Sequence, residues 1–150
     1  MKLAMDRHIR NIINSRRKIL GKTGEMLIVK HLSAKGFSLI EANYLRRCGE
    51  IDLVMKNRGI IHFIEVKTVS RETIIGNTGD FHVIHETNKY KPEQNVSPTK
   101  LRKISLTVQW YLDERGIKDT NWQFDVALVY LDRVNNKAGI RFLRDIPLDC

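Results

Sequence analysis

Two short stretches of this chain carry residue types that could act together on a phosphodiester. Gly49-Glu50-Ile51-Asp52-Leu53-Val54 is followed, across Lys56-Asn57-Arg58-Gly59, by Phe63-Ile64-Glu65-Val66-Lys67-Thr68. Side chains alternate along a strand, so Glu50 and Asp52 share one face and Glu65 and Lys67 share a face of the next strand. A short turn makes the two strands antiparallel neighbours, which lets Asp52 and Glu65 converge at one end of the pair. Lys67 then stands one step beyond Glu65 and is the cation expected to offset both acids. Charges within strands this apolar are costly to bury unless they are paired or hold a metal. Two carboxylates can hold Mg²⁺ or Mn²⁺, hard cations that prefer oxygen ligands. Such a cation polarises a phosphodiester and lowers the pKa of water, while a lysine orients or deprotonates the water and offsets charge on the phosphorus centre. The competing reading is two exposed strand faces linked by ordinary cross-strand ion pairs.

The elements that must position these residues follow from the surrounding pattern. A helix is expected within residues 1–22 and a second from Gly24 to Lys35, ended by Gly36. Strands are expected at Phe37–Tyr44, Glu50–Met55 and Ile60–Thr68, the last two joined by a hairpin turn. Residues 69–96 are broken by Gly76, Asn77, Gly79, Asn88, Pro92 and Asn95. They read as a long loop, either a substrate-binding flap or disorder. Ser97-Pro98 starts another helix, with Ser as N-cap and Pro at the first helical position, and Gly116 ends it. Strands Trp122–Leu131 and Ile140–Ile146 close an α/β domain with a mixed sheet.

Charge narrows the partners. Lys and Arg total 26 against 17 Asp and Glu, a formal net charge of +9 over 150 residues. That excess favours a polyanion, nucleic acid (DNA or RNA) first and an anionic membrane surface second. Residues 1–22 hold seven basic residues and one acid, Asp6, with Arg16, Arg17, Lys18 and Lys22 the densest group. They form a basic helix or arm that either lies along phosphates or is a solvated face. No apolar run is long enough to span a bilayer, and Met1–Arg10 offers no signal-peptide core. Two cysteines, Cys48 and Cys150, do not make a disulfide framework. A cytoplasmic protein is expected, its oligomeric state open, with a homodimer one arrangement.

An acid 13 positions before Glu-x-Lys, on a hairpin preceded by a helix carrying Gly24-Glu25, resembles the restriction-endonuclease-like PD-(D/E)XK nuclease superfamily. Within it the chain is similar to the YraN-type family of predicted endonucleases. The shared pieces are Gly24-Glu25, Asn43, Gly49-Glu50-Ile51-Asp52-Leu53, Phe63-Ile64-Glu65-Val66-Lys67-Thr68, Val96-Ser97-Pro98-Thr99-Lys100 and Phe124-Asp125-Val126. The resemblance implies a restriction-endonuclease-like core, a mixed β-sheet flanked by helices, over residues 23–150. It implies Asp52 and Glu65 as ligands of Mg²⁺ or Mn²⁺ and Lys67 as catalytic lysine. It also implies that Glu25 reaches the same site as an extra acid and that Lys100 touches phosphate. Gln123 departs from the family, which has arginine before Phe-Asp. The expected activity is metal-dependent hydrolysis of DNA, on a branched structure by analogy with the Holliday-junction resolvases. The alternative is an inactive nucleic-acid-binding module that keeps the fold.

Other signals are weaker. His82 and His85 lack further ligands at zinc spacing. His62 alternates away from the site face and is expected to pack on the other side. Cys48 has no histidine partner and reads as an incidental thiol. Trp110 and Trp122 could stack bases, or belong to the core.

Overall fold

The computed structural model describes residues 2–70, 82–86 and 96–148. Helix α1 (Lys2–Ala34) leads into strands β1 (Ser38–Arg46), β2 (Gly49–Asn57) and β3 (Ile60–Ser70). Strand β4 (His82–Glu86), helix α2 (Pro98–Glu114) and strands β5 (Trp122–Asp132) and β6 (Lys137–Leu143) complete the order. The six strands form one mixed sheet in the order β1-β2-β3-β5-β6-β4. Antiparallel pairs join β1 to β2, β2 to β3 and β5 to β6, while β3 pairs parallel with β5 and β4 parallel with β6.

The β2–β3 hairpin turns on Arg58 and Gly59, both at positive φ (50° and 80°), the backbone of a type I′ turn. The parallel β3–β5 pair runs in register from Ile61↔Trp122 to Ser70↔Leu131, and parallel strands need a crossover, which α2 supplies. Ser97 caps α2 by accepting from the Lys100 N–H at 3.1 Å, with Pro98 opening the helix. Gly116, φ 64°, follows its end.

The two helices cover opposite faces of the sheet. Leu27, Ile28 and Leu32 of α1 pack on Leu53, Met55, Ile64, Ala127 and Val129. Ile104, Val108 and Tyr111 of α2 pack on Val54, Phe63, Phe124, Val126 and Leu128. Alternate residues of β3 and β5 thus feed different layers, and β5 is a near-continuous apolar run, as a strand covered on both faces must be.

Three sequence expectations change, the smallest at the last strand, expected at Ile140–Ile146 and found at Lys137–Leu143. The two expected helices are one, Lys2–Ala34, because Gly24 ends nothing: a Cβ there would overlap Thr68 Oγ1, so glycine serves the close approach of α1 to β3. The segment 69–96 is not a structureless loop throughout, since β3 extends to Ser70 and residues 82–86 form β4. His82-Val83-Ile84-His85-Glu86 is too short to stand out between turn residues. The flap-or-disorder reading of 71–81 and 87–95 lies outside the described residues, as does Cys150, and the His82 and His85 side chains are likewise not described.

Candidate active site

The β2–β3 ladder holds from Asn57↔Ile60 to Leu53↔Ile64 and stops there. One step further, Asp52 would face Glu65, but the Val66 N–H donates instead to Asp52 Oδ2 at 2.8 Å. A carboxylate thus takes the place of a backbone carbonyl where the strands part, while β3 keeps its other edge on β5. This split explains why an acid belongs at position 52, between the buried Ile51 and Leu53.

Glu65 is only 5% exposed, and its charge is met by lysines. Lys100 Nζ lies 3.3 Å from Glu65 Oε1, and Lys67 Nζ lies 4.0 Å from the same oxygen. The sequence predicts Lys67 as the one compensating cation; the first turn of α2 brings Lys100 closer. Among the described residues no lysine or arginine pairs with Asp52. Burial, then the neighbouring charge of Glu65, push its carboxyl up to about 7 against the restraining Val66 hydrogen bond, with Glu50 adding in the same direction.

Glu25 arrives from α1. Burial and the nearby Asp52 raise its pKa, while Lys22 and a hydrogen bond with Asn43 pull it back. Lys22 Nζ is 3.5 Å from Glu25 Oε2. Asn43 adopts φ 55°, a left-handed conformation that asparagine tolerates better than most residues. Four elements therefore bring together Glu25, Asp52, Glu65, Lys67 and Lys100, with Lys22 at the edge. Lys22 reaches the site through Glu25, whereas Arg16, Arg17 and Lys18 lie further out on the exposed part of α1. Among the described residues no three His, Cys, Asp or Glu side chains already stand as a metal-holding group. The donor set that fits a hard cation is the Asp52–Glu65 pair: two carboxylates, of which Asp52 is pushed toward its neutral form by burial and then by the charge of Glu65.

The remaining candidates sort clearly. His62 is buried on the α1 side of β3, its Nδ1 2.6 Å from Asp125 Oδ2. Gln123 Nε2 and the Asp145 N–H donate to Asp125 Oδ1, each at 2.8 Å. Asp125, part of the Phe-Asp resemblance, therefore holds β3, β5 and the C-terminal segment together, and Gln123 serves that network. No spacing signal links His62 to Asp125, because their pairing depends on a parallel register 63 residues apart. Cys48 Sγ accepts from Thr107 Oγ1 at 3.4 Å. Trp122 packs edge-on against Phe63, and Trp110 is 55% exposed on α2. Among the described residues no helix is long and apolar enough to cross a membrane.

Sequence comparison shows what the chain is related to. Residues 24–129 match the model of an uncharacterised protein family, UPF0102. A UPF0102 protein of Persephonella marina is 34% identical over 118 residues, covering 79% of this chain and 85% of the relative. One of Desulforapulum autotrophicum is 32% identical over 133 residues, covering 89% and 96%. One of Campylobacter fetus is 27% identical over 124 residues, covering 83% and 95%. The matched span contains Glu25, Asp52, Glu65, Lys67 and Lys100 and starts after the basic part of α1.

Proposed function

This chain belongs to the uncharacterised protein family UPF0102, and we propose that it is a divalent-metal-dependent nuclease acting on DNA. One observation carries the reading: the Asp52 carboxylate lies beside that of Glu65 just past the last β2–β3 ladder pair, with Asp52 raised to about 7 by burial and by Glu65. Both lysines sit on Glu65, so Asp52, buried beside that carboxylate, is the acid whose charge a bound cation would favour. The resemblance of the two acids to the PD-(D/E)XK site, and that of the chain to the YraN-type nucleases, points the same way.

Asp52 and Glu65 would hold Mg²⁺ or Mn²⁺, which supplies Lewis-acid activation of the scissile phosphodiester and of water. The Val66 N–H fixes Asp52, leaving its other oxygen for the cation. Lys67, one step along β3 and 39% exposed at its side chain, orients the attacking water and offsets charge developing on phosphorus. Lys100, held by Glu65, reaches a non-bridging phosphate oxygen when substrate enters. Glu25, raised in pKa, takes a proton from water at the rim of the site.

The test is incubation with branched, single-stranded and duplex DNA in Mg²⁺, Mn²⁺ or EDTA. Cleavage is expected with either metal and not with EDTA. Asp52→Ala and Glu65→Ala should each lose it while keeping DNA binding in EDTA, and Lys67→Ala should keep metal affinity but lose rate by about 10²–10⁴. Robust cleavage by Glu65→Ala would remove the assignment. A second reading, an inactive nucleic-acid-binding module, draws on the Lys100–Glu65 ion pair, which satisfies that carboxylate without a metal ion. DNA binding with no cleavage under any metal is its outcome.

A further inference from the structure

Every residue from Asp6 to Ile19 of α1 is exposed, so this half of the helix leaves the body of the protein. Its side chains are sorted around the axis. Arg7, Asn11, Asn14, Lys18 and Lys22 recur at steps of three or four, the spacing of one helix face, and the next step is Glu25. Arg10 flanks this row, and Arg7, Arg10, Asn11 and Asn14 line a polar depression. Ile9, Ile12, Ile13 and Ile19 lie on the opposite side, 40–60% exposed. Arg16 stands among these isoleucines, about 160° around the axis from Lys18. The basic residues that sequence composition groups together are therefore split between two faces, and only one face leads to the carboxylates.

We infer that this face of α1 is a rail for one duplex arm of the substrate. The inference rests on the nucleic-acid reading above. From Arg7 to Glu25 the helix rises about 27 Å, at 1.5 Å per residue, matching about eight base pairs at 3.4 Å each. The row carries amides and cations and, up to Lys22, no acid, so it complements phosphates along its length. A duplex is stiff over far greater lengths than this, so laying it on a straight helix orders little, whereas a single strand would have to be straightened at an entropic cost. Because the rail ends at Glu25, beside Asp52, the cleaved bond lies at one end of the footprint. Substrates need a duplex arm on that side.

Salt titration of duplex binding in EDTA tests the rail without cleavage. Arg7→Gln/Lys18→Gln removes two charges from the row, and Lys30→Gln/Lys56→Gln removes two exposed charges elsewhere. The first pair should flatten the log–log salt slope by about 1.8, at 0.9 per phosphate contact, and the second should leave it unchanged. Duplexes shorter than about eight base pairs should lose the difference between wild type and the first pair. Equal effects of the two pairs, or none, overturn the rail. An equal flattening on a single strand overturns the assignment to duplex. Retention of the chain on phosphatidylserine vesicles, lost with Ile12→Gln, together with an unchanged duplex slope, gives α1 to a membrane surface and also overturns it. A split slope without cleavage under any metal keeps the rail and removes the nuclease. Cleavage with identical slopes does the reverse.

Discussion

Asp52 is the residue on which the proposed chemistry turns, and its environment makes an opposite prediction to that for an ordinary carboxylate. Its folded pKa of about 7 lies above the ordinary 3.8, so between those values the folded protein holds a proton that the unfolded chain has released. The stabilisation from this group is complete below about pH 4 and is lost as pH rises through 7. In EDTA, the melting temperature of the wild type should therefore fall by several degrees more between pH 5 and pH 8 than that of Asp52→Asn, which cannot titrate. A cation at the site competes with that proton, so Mg²⁺ or Mn²⁺ should recover the loss at pH 8, by about 1.4 kcal/mol at ten times Kd. Thermal melts of both proteins across pH, with and without metal, measure this. Parallel curves would show that Asp52 neither titrates there nor binds the cation. The spacing of Asp52, Glu65 and Lys67 was readable because strand periodicity and a two-residue turn determine where such side chains meet. Lys100 was not placed against Glu65 by any such rule. Its approach depends on how α2 packs over the sheet, a contact between residues 35 apart.

At the scale of elements, the site depends on how closely α1 lies on β3. Gly24 touches the strand at Thr68, whose buried Oγ1 has no hydrogen-bond partner among the described residues. A Cβ at position 24 would overlap that oxygen and also lie 3.0 and 3.1 Å from Thr68 Cβ and Cγ2, so no rotamer of Thr68 clears it. Gly24→Ala should therefore destabilise by about 1–3 kcal/mol, despite alanine's better helix propensity of up to about 1 kcal/mol. Thr68→Ala alone should cost little, since it removes an unpartnered hydroxyl. The double variant should recover part of the loss, with a coupling of at least about 0.5 kcal/mol in chemical denaturation. Additive effects would mean that the helix approaches elsewhere. Glycine at position 24 reads from sequence as punctuation between helices, because a break and a close packing contact look the same without the partner strand. Strand β4 escaped notice for a related reason: five residues carry too little periodicity, and their partner β6 lies over fifty residues away. The Ser97 cap, the Arg58-Gly59 turn and the apolar run of β5 were legible because each is a local signal.

At the scale of the whole molecule, stability and charge occupy different parts of the chain. The core lies between α1 from Leu27 onward, the sheet and α2, whereas no residue from Asp6 to Ile19 is buried. Removing residues 2–18 takes away six basic residues and one acid, lowering the formal net charge from +9 to +4. The fold should hardly notice: the melting temperature is expected to stay within about 2 °C, because an exposed helical extension contributes little to the global free energy of unfolding. Duplex binding should weaken, and its salt slope should fall by about 2–3 as the contacts of Arg7, Arg10 and Lys18 are lost. Lys22 remains and keeps Glu25 in place, so the metal response of the melting temperature should survive. Comparing melts in EDTA and Mg²⁺ with salt-dependent duplex binding, for the full and shortened chains, separates these effects. A melting temperature lowered by more than about 5 °C would show that the extension packs on the body. An unchanged slope would show that the +9 charge is a property of the surface as a whole and not of one helix face.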